Sequence, residues 1–379
     1  MSFSVIDDDL NSGARITVFG VGGGGGNAIQ HMIASNVTGV KFVCANTDKQ
    51  ALERIDTDNK IQLGEQSTRG LGAGANPEVG KVAAEESIQE IRAYLENTDM
   101  IFITAGMGGG TGTGAAPVIA KMAKDMGILT IGVVTTPFNF EGKRRLLSAE
   151  KGVEALEACV DSLIVIPNQR LLKVYRNIGM TDAYQKVDDV LLGSVRNIAD
   201  LIIRKGYINL DFADIKAAMS NSGYAMMGVG LGKGESRAAL AAQQAINSPL
   251  LEGVTTMSAT SLIINITSAE EPEYCVTLEE VDEITNIIGQ IANEDTNIFF
   301  GTAFDPELKD GVRVSVVATG LMRNLEAPVA QPRVAPVAQP APVQAPVQSA
   351  PVAETYQQPA ATAPAAEPKK GLSIKDFLR

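Results

Sequence analysis

Gly106-Met107-Gly108-Gly109-Gly110-Thr111-Gly112-Thr113-Gly114 follows the apolar run Met100 to Thr104 and opens a helical pattern at Ala115. Glycines at this density let backbone N–H groups approach a ligand closely, and the start of the following helix adds positive potential. Strand, glycine loop and helix in that order make an anion site, with phosphate as its natural occupant. Thr111 and Thr113 can add hydroxyl donors, whereas a plain turn needs one or two glycines and no alternating threonines.

A second cluster stands upstream, Gly20-Val21-Gly22-Gly23-Gly24-Gly25-Gly26-Asn27, directly after Ile16 to Phe19. Alone, Gly20-x-Gly22-x-x-Gly25 also matches the dinucleotide fingerprint, with Asp48 placed to be its ribose-binding acid. Two such loops at the carboxyl edge of one sheet fit a triphosphate better. Gly228 to Gly234 is a near miss to a Walker A loop: Gly234 stands where Ser or Thr is needed and Met227 where the first glycine is needed. It reads as a strand-to-helix turn.

Outward from the loops, Ile16 to Phe19, Val40 to Ala45, Met100 to Thr104, Leu129 to Val134 and Leu163 to Ile166 read as buried strands. Pro77 to Tyr94 and Ala115 to Met126 supply helical crossovers, so the expected fold is α/β, with a Rossmann-like parallel-sheet domain over residues 15–180. Val187, Val190, Leu191, Val195, Ile198, Leu201 and Ile202 recur at helical spacing, which predicts a central connecting helix over 181–205, roughly 35 Å long. Strands at Tyr224 to Gly230, Thr260 to Ile266, Asn297 to Ala303 and Val312 to Ala318, with helices at Glu235 to Ile246 and Leu278 to Ala292, make a smaller C-terminal α/β domain over 206–322.

Residues 1–14 read as a flexible N-terminus and 323–368 as a disordered Ala/Pro/Gln-rich linker; Ala327 to Ala366 holds nine prolines and only Arg333 and Glu354 as charges. Residues 369–379 set Ile374, Phe377 and Leu378 at i, i+3, i+4 among Lys369, Lys370, Lys375 and Arg379, the pattern of a peptide that docks in a partner's groove.

Composition narrows the function classes. A net charge of −12 and a pI near 4.8 argue against a nucleic-acid partner, which needs a basic face. Cys44, Cys159 and Cys275 lack paired spacing, so no disulfide framework or zinc site is indicated. Asp7, Asp8 and Asp9 stand where a signal peptide carries basic residues, and no apolar run approaches the ~20 residues of a membrane span. The expectation is a cytoplasmic chain with no direct membrane insertion.

The run Gly108 to Gly114 resembles the signature of the tubulin and FtsZ family of GTPases, whose bacterial members serve cell division. Asn76-Pro77-Glu78, Pro137-Phe138-Asn139-Phe140-Glu141-Gly142, Asn209-Leu210-Asp211-Phe212-Ala213-Asp214 and the terminal Ile374 to Leu378 peptide are similar to the family's further motifs. The resemblance covers about Arg15 to Leu321 and the tail. It implies that GTP and GDP are the ligands, with Mg2+ on the phosphates. Gly22, Gly23, Gly24, Gly25, Gly26 and Asn27, with Gly108, Gly109, Gly110, Thr111, Gly112 and Thr113, would hold the phosphates. Glu141 and Arg145 would meet the sugar and phosphate side, and Asn168, Tyr184 and Asp189 the base. A carboxylate can accept from guanine N1–H and N2–H, an edge adenine lacks, and Tyr184 can stack on the ring.

Phosphoryl transfer needs positioning, charge stabilisation and a group that orients water. Asp211 and Asp214 at i, i+3 are candidates for that last role; Asp211 is equally a good N-cap for a helix beginning at Phe212. The resemblance implies that Asn209, Asp211 and Asp214 complete the site of the adjacent subunit. It also implies head-to-tail self-association, assembly as a ring at mid-cell under the inner membrane, and membrane-tethering adaptors and regulatory division proteins bound through 369–379. No protein side-chain cluster for a metal is indicated. A dinucleotide oxidoreductase and a nucleotide-binding regulator without turnover are the competing classes, separated by the nucleotide that copurifies and by phosphate release. His31, the only histidine, reads as structural.

Overall fold

The computed structural model describes residues 13–175, 178–204, 206–251 and 258–321. The expected linker and docking peptide, and residues 1–12 of the N-terminus, lie outside the described residues.

The chain runs β1 (Ile16–Val21), α1 (Gly22–Ala34), β2 (Val40–Asn46), α2 (Lys49–Glu53), β3 (Lys60–Gln62), α3 (Glu65–Thr68), α4 (Pro77–Glu86), α5 (Ile88–Leu95), β4 (Met100–Gly106) and α6 (Thr111–Asp125). It continues β5 (Leu129–Thr136), α7 (Lys143–Glu157), β6 (Ser162–Pro167), α8 (Asn168–Val174), α9 (Met180–Ile203) and α10 (Phe212–Met219). Then follow β7 (Gly223–Gly232), α11 (Arg237–Ile246), β8 (Ser261–Ser268), α12 (Leu278–Gly289), β9 (Asn297–Phe304) and β10 (Val312–Leu321).

All ten strands share one sheet, in the order β3-β2-β1-β4-β5-β6-β7-β10-β8-β9. The first six are parallel and follow the doubly wound order, whose crevice opens where the order reverses, between β1 and β4. β7 continues the sheet by pairing parallel to β6 over three residue pairs, Ser162 with Gly223 through Ile164 with Ala225. β10 runs antiparallel to both β7 and β8, and β9 is parallel to β8. The N- and C-terminal halves are thus joined through backbone hydrogen bonds as well as through α9.

Near-continuous apolar strands need cover on both faces. One core, including Met32, Phe102, Val133, Val195 and Ile198, packs α1 and α9 on one face of the parallel region; another, including Phe19, Ile103, Ala116 and Leu156, packs α4 to α7 on the other. A third packs α11 and α12 on the C-terminal strands through Ala241, Ile264, Ile288 and Val316. In α9, Val187, Leu191, Val195, Ile198 and Leu201 are buried. At roughly 1.5–3 kcal/mol each, these five outweigh differences in helix propensity of at most ~0.7 kcal/mol per residue, so packing holds this helix. Its polar anchors face the second half. The Asp305 carboxylate, 3% exposed, accepts from Arg196 of α9 at 3.2 Å and Arg313 of β10 at 2.9 Å.

Two local expectations are corrected, and one strand lies outside them. Pro77 to Tyr94 is two helices broken at Ser87, whose hydroxyl accepts from Gly64 N–H at 3.1 Å. Strand β3 is only three residues long and left no periodic signal. Gly228, Gly230 and Gly232 lie inside β7, where a Cβ would come within 2.0, 2.0 and 1.8 Å of carbonyl oxygens of Ala245, Ala241 and Arg237. They let α11 rest on bare strand backbone; the turn itself is 233–236.

Candidate nucleotide site

Helices α1 and α6 both begin at the β1/β4 crevice. Neither has a side-chain cap or an acidic residue in its first turn, so their leading N–H groups are free for an anion, reinforced by both helix dipoles. A cavity of about 410 Å³ lies there, lined by Gly23, Gly24, Asn27, Gly109, Gly110, Thr111 and Gly112 on the loop side. Thr135, Pro137, Glu141, Arg145 and Asn168 add a second wall, and Tyr184, Val187, Asp188 and Leu191 of α9 a third.

The other expected phosphate residues shape the loops without lining this cavity. Gly22 has φ +71°, and a Cβ there would meet Gly112 N at 2.8 Å; at Gly25 a Cβ would meet Thr104 O at 2.4 Å. Gly26 is likewise buried. Gly108, with φ +96°, donates its N–H to Thr113 Oγ1 at 2.9 Å, and Thr111 Oγ1 bonds Thr47 Oγ1 at 2.6 Å. Thr113 therefore braces the signature loop from within, whereas Thr111, which does line the cavity, ties that loop to the segment after β2. Asp48, the alternative ribose acid, instead caps α2 by accepting from Ala51 N–H at 3.2 Å.

Glu141 Oε1 accepts from Phe138 N–H at 2.9 Å while Oε2 pairs with Arg145 at 2.9 Å, which fixes the loop that carries Pro137. Asn168 is 5% exposed, and its Oδ1 is a buried acceptor with no protein partner. Such an acceptor is costly unless a ligand hydrogen bonds to it. The Tyr184 ring stands edge-on to Phe138, 5.5 Å between centroids; burial and then the Glu141 charge push its hydroxyl pKa up.

Asp189 requires a correction. It does not line this cavity: its carboxylate accepts from Lys186 Nζ and pairs with His31 Nε2, both at 2.8 Å, on the side of a neighbouring cleft. Burial pushes its pKa up, but the hydrogen bonds from Lys186 and His31 outweigh that and hold it below the usual carboxylate range. Asp188 lines the site instead, and burial pushes its carboxyl up to about 6. The missed signal is helical phase, because Tyr184, Val187, Asp188 and Leu191 form an i, i+3, i+4, i+7 stripe that excludes Asp189.

Asn209, Asp211 and Asp214 are not among the cavity's lining residues. α9 starts beside this cavity and ends where Ile203 packs on Gly39, just before β2, and Arg204 donates to the Phe304 carbonyl at the end of β9. The acidic loop follows from there. Asp211 caps α10, accepting from Asp214 N–H at 2.8 Å, while Asp214 Oδ2 accepts from Asp211 N–H at 3.4 Å; Asn209 Oδ1 accepts from Gly206 N–H at 2.9 Å. The 24 residues of α9, at about 1.5 Å each, put roughly 35 Å between the helix's two ends.

Comparison with known proteins places this arrangement. Residues 15–176 match the model of the Tubulin/FtsZ family, GTPase domain, and residues 223–322 that of the FtsZ family, C-terminal domain. The chain belongs to the Tubulin/FtsZ family. Within the family it is similar to the cell division protein FtsZ of Rickettsia bellii, 56% identical over 81% of this chain and 66% of that protein's length. It is 51% identical to the FtsZ of Pseudomonas aeruginosa over 85% of this chain and 81% of that one. A solved structure described as an empty FtsZ dimer from M. jannaschii superposes with a TM-score of 0.78 at 40% identity, covering 88% of this chain and all of that one. The family's GTPase domain model thus covers both glycine loops and the second wall of the cavity. Among the described residues, no helix is long and apolar enough to cross a membrane.

Proposed function

We propose that the chain is a GTP-hydrolysing cytoskeletal protein of cell division that associates head to tail into filaments, each active site being shared between two subunits. The observation that carries this reading is the separation just described. The anion-binding loops lie beside the start of α9 and the Asp211/Asp214 pair follows its end, roughly 35 Å of helix away, which supports a pocket completed by a second chain. A head-to-tail contact brings the carboxylates of one subunit to the triphosphate of the next, and such a heterologous contact propagates into an open filament.

The chain's own groups divide the work. Free N–H groups of α1 and α6 hold phosphate oxygens, Asn168 Oδ1 receives a donor from the nucleoside, and Asp188 is placed for the guanine edge. Asp214, held by Asp211, orients water on the neighbouring subunit's nucleotide, with Asn209 bracing the loop. A Mg2+ bound with the nucleotide would neutralise charge on the phosphates. The M. jannaschii relative, described as an FtsZ dimer, supports self-association. The tail residues 369–379 recruit membrane-tethering adaptors and regulatory division proteins, so that filaments gather in the cytoplasm as a mid-cell ring.

Phosphate release per subunit, measured across protein concentration, tests the shared site. Turnover should rise steeply where light scattering first shows polymer. A flat specific activity reaching down into purely monomeric solutions would refute it.

A further inference from the structure

On the face of the sheet covered by α4 to α7 lies a larger cavity, about 910 Å³, that the nucleotide reading does not use. Its origin is in the packing. A Cβ on Gly114 would meet Pro77 O at 1.9 Å, and one on Gly152 would meet Thr113 Cγ2 at 2.4 Å, so α4 and α7 close on the first turn of α6. Beyond those contacts the helices diverge and leave a trough with α6 as its floor.

The trough has three chemical parts. Ile88, Pro117, Met122 and Ala155 contribute apolar surface. At the end nearest the signature loop, the Ser148 hydroxyl oxygen is buried with no partner, and Pro117 cannot donate the helical hydrogen bond that the Thr113 carbonyl would otherwise accept. Around the walls stand Lys81, Arg92, Lys121 and Lys151, against Glu78, Glu85 and Asp125. Lys81 precedes Glu85, and Lys121 precedes Asp125, by four residues, the weaker order for a helical ion pair, and none of the four cations forms one of the salt bridges found among the described residues. In a chain of net charge −12, a cleft with more cations than carboxylates selects for negative charge.

We propose that this trough is a binding site for a small amphipathic anion: an apolar body on the α6 floor, a carboxylate or sulfonate among the lysines and Arg92, and a hydrogen bond to Ser148. The volume suits a drug-sized ligand. The inference rests on the trough alone and is independent of the nucleotide reading.

The test uses the full-length chain and 8-anilinonaphthalene-1-sulfonate as a fluorescent probe, displaced by decanoate held below its micelle-forming concentration. The expected result is saturable binding of one probe per chain, displaced by decanoate and weakened about tenfold both by the double charge reversal Arg92→Glu with Lys121→Glu and by Ala155→Trp. All three positions are exposed, and thermal melts of the variants should match the parent. Affinity unchanged in the charge reversal, or no displacement by decanoate, would overturn the proposal. So would probe loss as protein concentration rises, which would assign the trough to a second copy, or vesicle binding abolished by the same charge reversal, which would assign it to a lipid surface.

Discussion

Asp188 and Asp189 are consecutive in α9, yet their carboxylates serve different cavities: one lines the nucleotide site, the other is held by His31 and Lys186. A step of about 100° around the helix separates them. The two groups are therefore displaced in opposite directions from an ordinary aspartate, Asp188 upward by burial and Asp189 downward by its partners.

This makes Asp188→Asn a stabilising change in the nucleotide-free protein near neutral pH. A folded pKa of about 6 against 3.8 means that the stability contributed by the protonated carboxyl is full below about pH 4 and lost as pH rises through 6. The displacement corresponds to about 3 kcal/mol in full, which solvent at this partly exposed position reduces to ~1–2 kcal/mol. Denaturant midpoints at pH 5 and 7.5 should show the variant gaining on the parent at both, with about twice the gain at the higher pH. Equal gains at both would exclude titration of Asp188 as the cause.

Asp211 has two separable jobs, a helix cap and a charge. Asp211→Asn keeps an acceptor for Asp214 N–H and should preserve the melting temperature while lowering polymer-associated phosphate release at least ~10-fold, about 1.4 kcal/mol in the barrier. Asp211→Ala loses the cap as well and should cost about 1 kcal/mol of stability. Full turnover in the Asn variant would reduce this residue to a cap.

Asp305 joins α9 to β10 through Arg196 and Arg313. Removing it in Asp305→Ala strands the partly buried Arg313, leaves Arg196 with Asp200 alone, and should cost about 3 kcal/mol. Equilibrium unfolding would measure the loss. Little or no change in midpoint would show that solvent already satisfies both arginines.

Gly230→Ala should destabilise by about 1–3 kcal/mol, although alanine is the better residue for ordered backbone generally, because its methyl would collide with the Ala241 carbonyl beneath α11. Hydrogen exchange is expected to rise first in α11 and β7. A neutral or stabilising effect would contradict the contact.

What the sequence made legible was whatever repeats locally. Apolar runs located β1, β2, β4, β5 and β6 to within two residues, helical spacing found α9, and glycine density marked the two loops after β1 and β4 that line the candidate site. What it hid depends on phase or on distant partners. Ser87 breaks a helix because its hydroxyl is engaged by Gly64, twenty-three residues away in the chain. The alternate glycines of β7 resemble a phosphate loop until α11 is seen lying on them. The pairing of β7 with β6 involves two strands separated by α8, α9 and α10, so no local pattern announces it. Asp188 was overlooked for Asp189 although the stripe Tyr184, Val187, Asp188, Leu191 distinguishes them.

The length of α9 carries a last implication. If catalysis needs groups from both of its ends, a solitary molecule is kept quiescent by dimension alone: no lid, inhibitory segment or covalent mark is required to prevent futile nucleotide consumption. Safety is then built into a rigid rod, and any change that shortened or bent it would act on that safeguard without touching a single reactive group.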